Sequence, residues 1–319
     1  MRVMGPPAGV RGGAGPALRA GEHRVYEGAS AFATHPALRP YVTDLAGRSG
    51  LAVREEAFGT GQSYADMARP LVESVTAAAG PVDLLVLAYG VHDVQPGRNT
   101  ALYLASHCPG DPLAFTVTDQ GPSAAFAALR LIGDHVASGG CARALLVVAE
   151  QAALHYPLAT PAPLPDRHAA AALLFEATPD AARARVRQHA GVPVDAVSTV
   201  LAAEVAELAG DAADVTLVVG PDVPVEPSTI AAVREVRRAQ AGLPFTGLWA
   251  RLCEPGAERV VLAEHDPALG YLSVAALEPA ARAPATVPAR SIEASARPVH
   301  SRPTGSRTGG GAAQMAVKD

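Results

Sequence analysis

The run Asp83-Leu-Leu-Val-Leu-Ala-Tyr-Gly90 is followed by Leu113-Ala-Phe-Thr-Val-Thr118, the turn Asp119-Gln-Gly-Pro122, and an apolar stretch from Ser123 to about Ser138. Gly139-Gly140 then precedes Ala144-Leu-Leu-Val-Val-Ala149, which ends on Glu150. The aliphatic runs show no polar alternation, so their strands have no wet side, which is the condition of a parallel sheet covered on both faces. The stretch from Ser123 to Ser138 is long and rich in alanine and leucine, and a glycine pair stops it, so it predicts a helix. Strand, helix and strand in that order predict an α/β fold.

Working downstream, the proline-dense Leu154 to Pro165 predicts a loop, because proline can neither donate to a ladder nor continue a helix. Ala184 to His189 then predicts a strand. Asp195 to Leu208 predicts a helix, with Val197, Val200, Leu201 and Val205 on a helical period. Val215 to Val219 is an expected buried strand, Pro227 to Gln240 an expected helix capped by Glu226 or Ser228, and Arg259 to Ala263 with Tyr271 to Leu277 a closing strand pair. Upstream, Arg24 to Phe32 predicts a first strand, and Pro36 to Arg48 and Tyr64 to Ala79 predict helices. Residues 1–22 and 280–319 are dominated by Gly, Pro, Ala, Arg and Ser, which predicts a flexible leader and a disordered tail.

Composition bounds the function. With 319 residues, 49% of them hydrophobic, the chain can bury a large core. A net charge of -5 gives no electrostatic reason to bind nucleic acid or an anionic membrane. No apolar run reaches the roughly 18 residues that a membrane span needs, and Met1 to Ala20 lacks the apolar core of a signal peptide. The three cysteines, Cys108, Cys141 and Cys253, have no metal-ligand spacing, which fits reduced thiols in the cytoplasm. Neither a metal nor a cofactor is expected, and Gly12-Gly-Ala-Gly15 neither follows a strand nor opens a helix, so it is not read as a nucleotide loop.

A resemblance is carried by the order and spacing of Asp83 to Ala88, Ala114-Phe-Thr-Val117, Ala125-Phe-Ala-Ala-Leu129, Ala137-Ser-Gly-Gly140 and Ala144 to Glu150. Asp166-Arg-His-Ala-Ala-Ala-Ala-Leu-Leu-Phe175 and Glu254-Pro-Gly-Ala-Glu-Arg-Val-Val-Leu262 add to it. Together these resemble ketoacyl-ACP synthase III of the thiolase superfamily, over most of the chain between Val25 and Glu278. The resemblance implies a duplicated, five-layered αβαβα fold, with an N-terminal half over 23–176 and a shortened C-terminal half over 177–279. It also implies dimers that pair through the strand Leu113 to Thr118.

In that family a cysteine thiolate at a helix N-terminus takes an acyl group, and a histidine and an asparagine of the second half stabilise developing charge. Here the nucleophile position falls on Gly121 or Pro122. The histidine position follows Val219 and reads Gly220-Pro221, and the best match to the asparagine turn is Gly242-Leu-Pro244-Phe245-Thr-Gly247. The single asparagine of the chain, Asn99, lies in the first half. The loop that is glycine-rich in the family reads Glu264-His-Asp-Pro267. The resemblance therefore implies a ketoacyl synthase III-like subunit without its Cys-His-Asn set. Such a subunit would pair with an active homologue, or with itself, in fatty-acid or polyketide-type biosynthesis, with acyl carrier protein or acyl-CoA as a further partner. The alternative is an acyltransferase that uses Ser123 as nucleophile with His265 as base, and a third class is an acyl-binding protein with no partner enzyme. His92, Asp93 and His107 lie in loops that approach the partner's pocket in family dimers.

Overall fold

The computed structural model describes residues 15–157, 163–178, 185–210, 214–225, 230–254 and 259–277. The aliphatic runs form the centre of one sheet: β2 (Leu84–Ala88) lies between β3 (Leu113–Val117) and β4 (Arg143–Glu150), parallel to both. The antiparallel strands β5 (His168–Thr178) and β1 (Gly15–Tyr26) extend it, giving the order β1-β5-β4-β2-β3. Along β2, Leu84, Val86 and Ala88 enter one core and Leu85 and Leu87 another, so the strand has apolar neighbours on both sides, as its uniform sequence requires.

The second sheet contains β6 (Arg185–Ala190), β7 (Val215–Val219), β8 (Val233–Arg238), β9 (Val260–Asp266) and β10 (Tyr271–Leu277) in the order β6-β10-β9-β7-β8. Its pairings run antiparallel, antiparallel, parallel, parallel, as in the first sheet. The chain thus lays out one plan twice. Between the sheets lies α4 (Ser123–Ala137), whose Phe126, Leu129 and Ile132 share a core with Leu146 and Phe175 of the first sheet and Val218 and Leu262 of the second. Trp249 of the short helix α6 (Gly247–Ala250) packs edge-on against Phe126 in the same layer. The outer face of the first sheet is covered by α2 (Tyr64–Thr76) and α3 (Thr100–Ala105), and that of the second by α5 (Val197–Ala209). The helix α1 (Leu38–Arg48) forms a smaller core of its own with Ala33 and Val94. Helix, sheet, helix, sheet and helix make the five layers of a thiolase-like α/β fold.

Three expectations are corrected. The leader expected over residues 1–22 becomes strand from Gly15, because β1 pairs with β5 along its whole length and closes an edge that would otherwise stand open. Gly21, which looks like a mark of flexibility, is a packing requirement: a Cβ there would lie 2.8 Å from Leu173 Cδ2. The strand expected over Arg24 to Phe32 ends at Tyr26, and a short 3-10 turn occupies Ala31–Thr34. The helix expected over Pro227 to Gln240 is replaced by β8, an edge strand whose Arg and Glu side chains are good helix formers by propensity but are equally suited to a solvent-facing edge. The caps expected at Glu226 and Ser228, part of the Leu154 to Pro165 loop (158–162), residues 1–14 and the tail over 280–319 lie outside the described residues. Among the described residues no helix is long and apolar enough to cross a membrane, and no group of three His, Cys, Asp or Glu is arranged to hold a metal ion.

Candidate functional site

In open α/β sheets, ligands bind beyond the carboxyl ends of the parallel strands. Here β3 runs into the turn before α4, β7 ends at Val219 just before Gly220, β9 ends in Glu264-His265-Asp266, and the turn before α6 carries Pro244 and Phe245. These ends meet. Pro122, Pro221 and Pro244 line one cavity of about 240 Å³ together with Asp222, Glu264 and Asp266. Segments nearly a hundred residues apart in sequence, picked out separately along the chain, share this hollow.

Its chemistry is set by two glycines and two carboxyls. Gly121 has φ +51°, a left-handed conformation that glycine adopts without cost, and a Cβ built there would lie 2.3 Å from Asp266 Oδ2. Asp266 is held in place through its other oxygen, Oδ1, which accepts from Ala268 N at 2.9 Å and Leu269 N at 3.1 Å. At Gly220, a Cβ would lie 2.1 Å from Glu264 Oε1 and 2.3 Å from Oε2. A side chain at either position would collide with a resident carboxyl. Glu264 is buried, and burial, followed by the neighbouring carboxylates of Asp222 and Asp266, holds its proton well above the usual carboxylate range.

Glu150, at the end of β4, positions the turn that lines the cavity from the other side. Its Oε2 accepts from Phe245 N at 3.0 Å, its Oε1 from Thr246 N at 2.9 Å, and the Thr246 hydroxyl also donates to it. Burial pushes this carboxyl up to about 7, against the opposing effect of the three donors. The Phe245 ring lies against Gly90, where a Cβ would be 2.0 Å from Cε1, so the residue after Tyr89 has to be glycine for the turn to seat.

The structure does not join Ser123 to His265. Ser123 opens α4 and is buried, and its hydroxyl accepts from Ser273 Oγ at 3.1 Å. Gln188 Nε2 reaches the same pair, at 3.4 Å from the Ser123 carbonyl and 3.3 Å from Ser273 Oγ. His265 is buried in β9 and not in the loop that its sequence suggests, and its Nε2 is bonded to the Val192 carbonyl at 3.0 Å. None of the cysteines is a thiolate: burial raises Cys108 to about 11 and Cys141 and Cys253 to about 12. His92 stacks on Tyr156 with 4.6 Å between centroids, and burial lowers it to about 4. His107 Nδ1 is bonded to the Tyr103 carbonyl at 2.8 Å. Asp93 accepts from Tyr64 N, Gln95 N and the Thr100 hydroxyl, and Asn99 caps α3 by accepting from Leu102 N, so both hold local structure. Sequence reasoning missed Glu150 and the burial of Glu264. The available signal was a carboxylate at the end of an uninterrupted aliphatic run.

No protein-family model and no curated protein matches the sequence. Solved structures do match the fold. A tetronic acid condensing enzyme aligns with 17% identity and a TM-score of 0.55 over 82% of this chain and 99% of its own. The 3-oxoacyl-(acyl carrier protein) synthase III of Pseudomonas aeruginosa aligns with 17% identity and a TM-score of 0.54 over 83% of this chain and 99% of its own. The priming β-ketosynthase of a polyketide biosynthetic pathway aligns with 13% identity and a TM-score of 0.52 over 86% of this chain and 99% of its own. The fold is therefore similar to that of ketoacyl synthase III-type condensing enzymes of fatty-acid and polyketide biosynthesis.

Proposed function

We propose that this chain is a non-catalytic, ketoacyl synthase III-like subunit that pairs in the cytoplasm with an active condensing enzyme of fatty-acid or polyketide-type biosynthesis. The observation that carries it is the filling of the old site. The resemblance puts the cysteine at Gly121 or Pro122 and the histidine at Gly220-Pro221, and at both glycines the space of a side chain is occupied, by Asp266 and Glu264 respectively. Carboxyls there supply neither the thiolate nor the imidazole that a condensing enzyme of this kind uses as nucleophile and as stabiliser of developing charge.

Pairing is supported by β3. It is the last strand of the first sheet, and its Leu113 is 53% exposed. An edge strand with exposed apolar side chains is a surface that proteins cover. The partner is an active ketoacyl synthase III homologue in a heterodimer, or a second copy in a homodimer, and the substrate arrives on acyl carrier protein or as acyl-CoA at the active partner.

Intact-mass analysis after incubation with acyl-CoA tests the first half of the proposal. No adduct is expected on this chain alone, and Ser123→Ala is expected to change nothing. A stable acyl adduct mapping to Ser123 would overturn it. Co-purification with an active homologue tests the second half, and a mixed dimer is the expected species.

A further inference from the structure

Residues 151–157 leave the end of β4 without regular structure and are held down through three imidazoles. His168, which opens β5, accepts from Ala152 N through Nδ1 at 3.0 Å. His92, in the loop after β2, stacks on Tyr156 with 6° between the rings. His155 belongs to the segment itself: it is buried, its ring packs on Phe58 with 4.8 Å between centroids, and its carbonyl accepts from Arg54 N at 2.7 Å. Gln151 adds a tie to the loop after β2 by donating to the His92 carbonyl at 3.2 Å. Leu154 in turn shares a buried cluster with Val91 and Phe245, so the segment backs the turn that carries Pro244 into the cavity wall.

This arrangement requires neutral rings. Nδ1 of His168 accepts a hydrogen bond, so it holds a lone pair that a second proton would fill. Nε2 of His92 and Nε2 of His155 are buried with no partner among the described residues, and an N–H⁺ at either would stand without an acceptor. The charged and titratable groups of the packed elements are committed elsewhere. Asp93 accepts from Tyr64 N, Gln95 N and the Thr100 hydroxyl, Glu150 from Phe245 N and Thr246 N, and Arg39 pairs with Glu55 over the Phe58 ring. Tyr26, opposite His168 in β1, donates to the Met67 carbonyl, and Arg167 donates to the Ala241 carbonyl. No carboxylate among the described residues is bonded to any of the three rings, so nothing offsets a positive charge on them. Burial lowers all three, and the neighbouring His155 adds to the effect at His92.

We infer that residues 151–157 form an acid-operated latch: protonation of His92, His155 and His168 releases the segment while the two sheets stay folded, and so removes Leu154 from beside Phe245. An open latch takes up protons below pH 6.5 that the closed one refuses, so opening grows as pH falls toward the closed-state value of about 4 at His92. For His92 alone this multiplies the open fraction about 30-fold between pH 7.5 and pH 5. The inference goes beyond the partner-subunit proposal and concerns the isolated chain, so a failure of pairing leaves it standing.

The test is hydrogen exchange of the full-length chain at pH 7.5 and pH 5, with each amide's rate expressed relative to its intrinsic rate at that pH. Protection of the Ala152 and Ala153 amides is expected to fall about 30-fold or more, and at both pH values to lie below that of Leu85 to Leu87 in β2, which only global unfolding exposes. His92→Phe keeps a ring against Tyr156 and is expected to remove about 30-fold of that fall. His168→Asn offers an oxygen in place of Nδ1, does not titrate, and is expected to reduce the fall as well, so either variant serves if the other does not fold. Latch amides that exchange at the β2 rate at both pH values, protection that does not change with pH, or a fall that the folded variants leave intact would each overturn the inference.

Discussion

Glu150 joins the end of β4 to the turn before α6, and its titration gives a stability signature that can be computed in advance. Burial raises its carboxyl from the ordinary 4.5 to about 7. A carboxyl whose folded-state pKa is raised contributes stability that is fully present below the unfolded value and is lost as pH rises through the folded one. In the window between 4.5 and about 7 the folded chain holds a proton that the unfolded chain has released, so stability falls by about 1.4 kcal/mol per pH unit, or about 3 kcal/mol in all. That is a large part of the roughly 5 to 15 kcal/mol of a typical domain. Glu150→Gln keeps the shape, offers one oxygen to the turn and does not titrate. Urea unfolding of the two proteins from pH 4.5 to 8 can be followed through Trp249, the single tryptophan of the chain, which lies three residues beyond Thr246. The stability of the natural chain relative to Glu150→Gln is expected to fall by about 3 kcal/mol over that range. Asp93, raised to about 6, and Glu264, raised by burial, titrate in the same direction but are common to both proteins and cancel in the difference. A difference independent of pH would refute the reasoning, since it would mean that the three donors keep the Glu150 carboxylate ionised throughout.

Gly121→Cys, which places a thiol at one of the two positions the resemblance suggests for a nucleophile, combines a left-handed backbone with a clash against Asp266 and is expected to cost about 2 to 4 kcal/mol by thermal denaturation while gaining no acyl adduct by mass. Trp249→Ala removes the ring that packs on Phe126 in the middle layer, for an expected loss of about 3 to 5 kcal/mol in chemical denaturation. Burial lowers His92 to about 4, so acid weakens the fold as pH falls from about 6.5 toward 4; His92→Phe keeps the stacking on Tyr156 and is expected to flatten the acid limb of the stability profile. Thr116→Pro in β3 is expected to turn a dimer at micromolar concentration into monomer or aggregate in sedimentation, and a well-behaved monomer of the natural chain would count against pairing.

Much of the first half was legible because burial on both faces leaves a uniform aliphatic record, as in Leu84 to Ala88 and Ala144 to Ala149. The turns that line the cavity, Gly121-Pro122, Gly220-Pro221 and Pro244-Phe245, could be picked out because the resemblance places them relative to those strands. What stayed hidden depends on partners distant in sequence. Residues 15–22 are strand only because β5 lies beside them, and Val233 to Arg238 is strand only because β7 leaves an edge to fill. Glu264 and Asp266 read as loop acids, since nothing local announces that glycines across the cleft make room for their side chains. The link from Glu150 to Phe245 and Thr246 spans 95 and 96 residues, beyond any local pattern.

The twin sheets have one further consequence. A molecule with two open strand borders of equal adhesiveness could propagate end to end into a filament, because each added copy would offer a fresh border to the next. Here the borders are unequal. The one at β3 presents the exposed Leu113, whereas the one at β8 carries Arg234, Glu235, Arg237 and Arg238, charged side chains that an incoming strand would have to desolvate. Were two copies to meet through β3, the charged border at β8 would be a poor surface for adding a further copy.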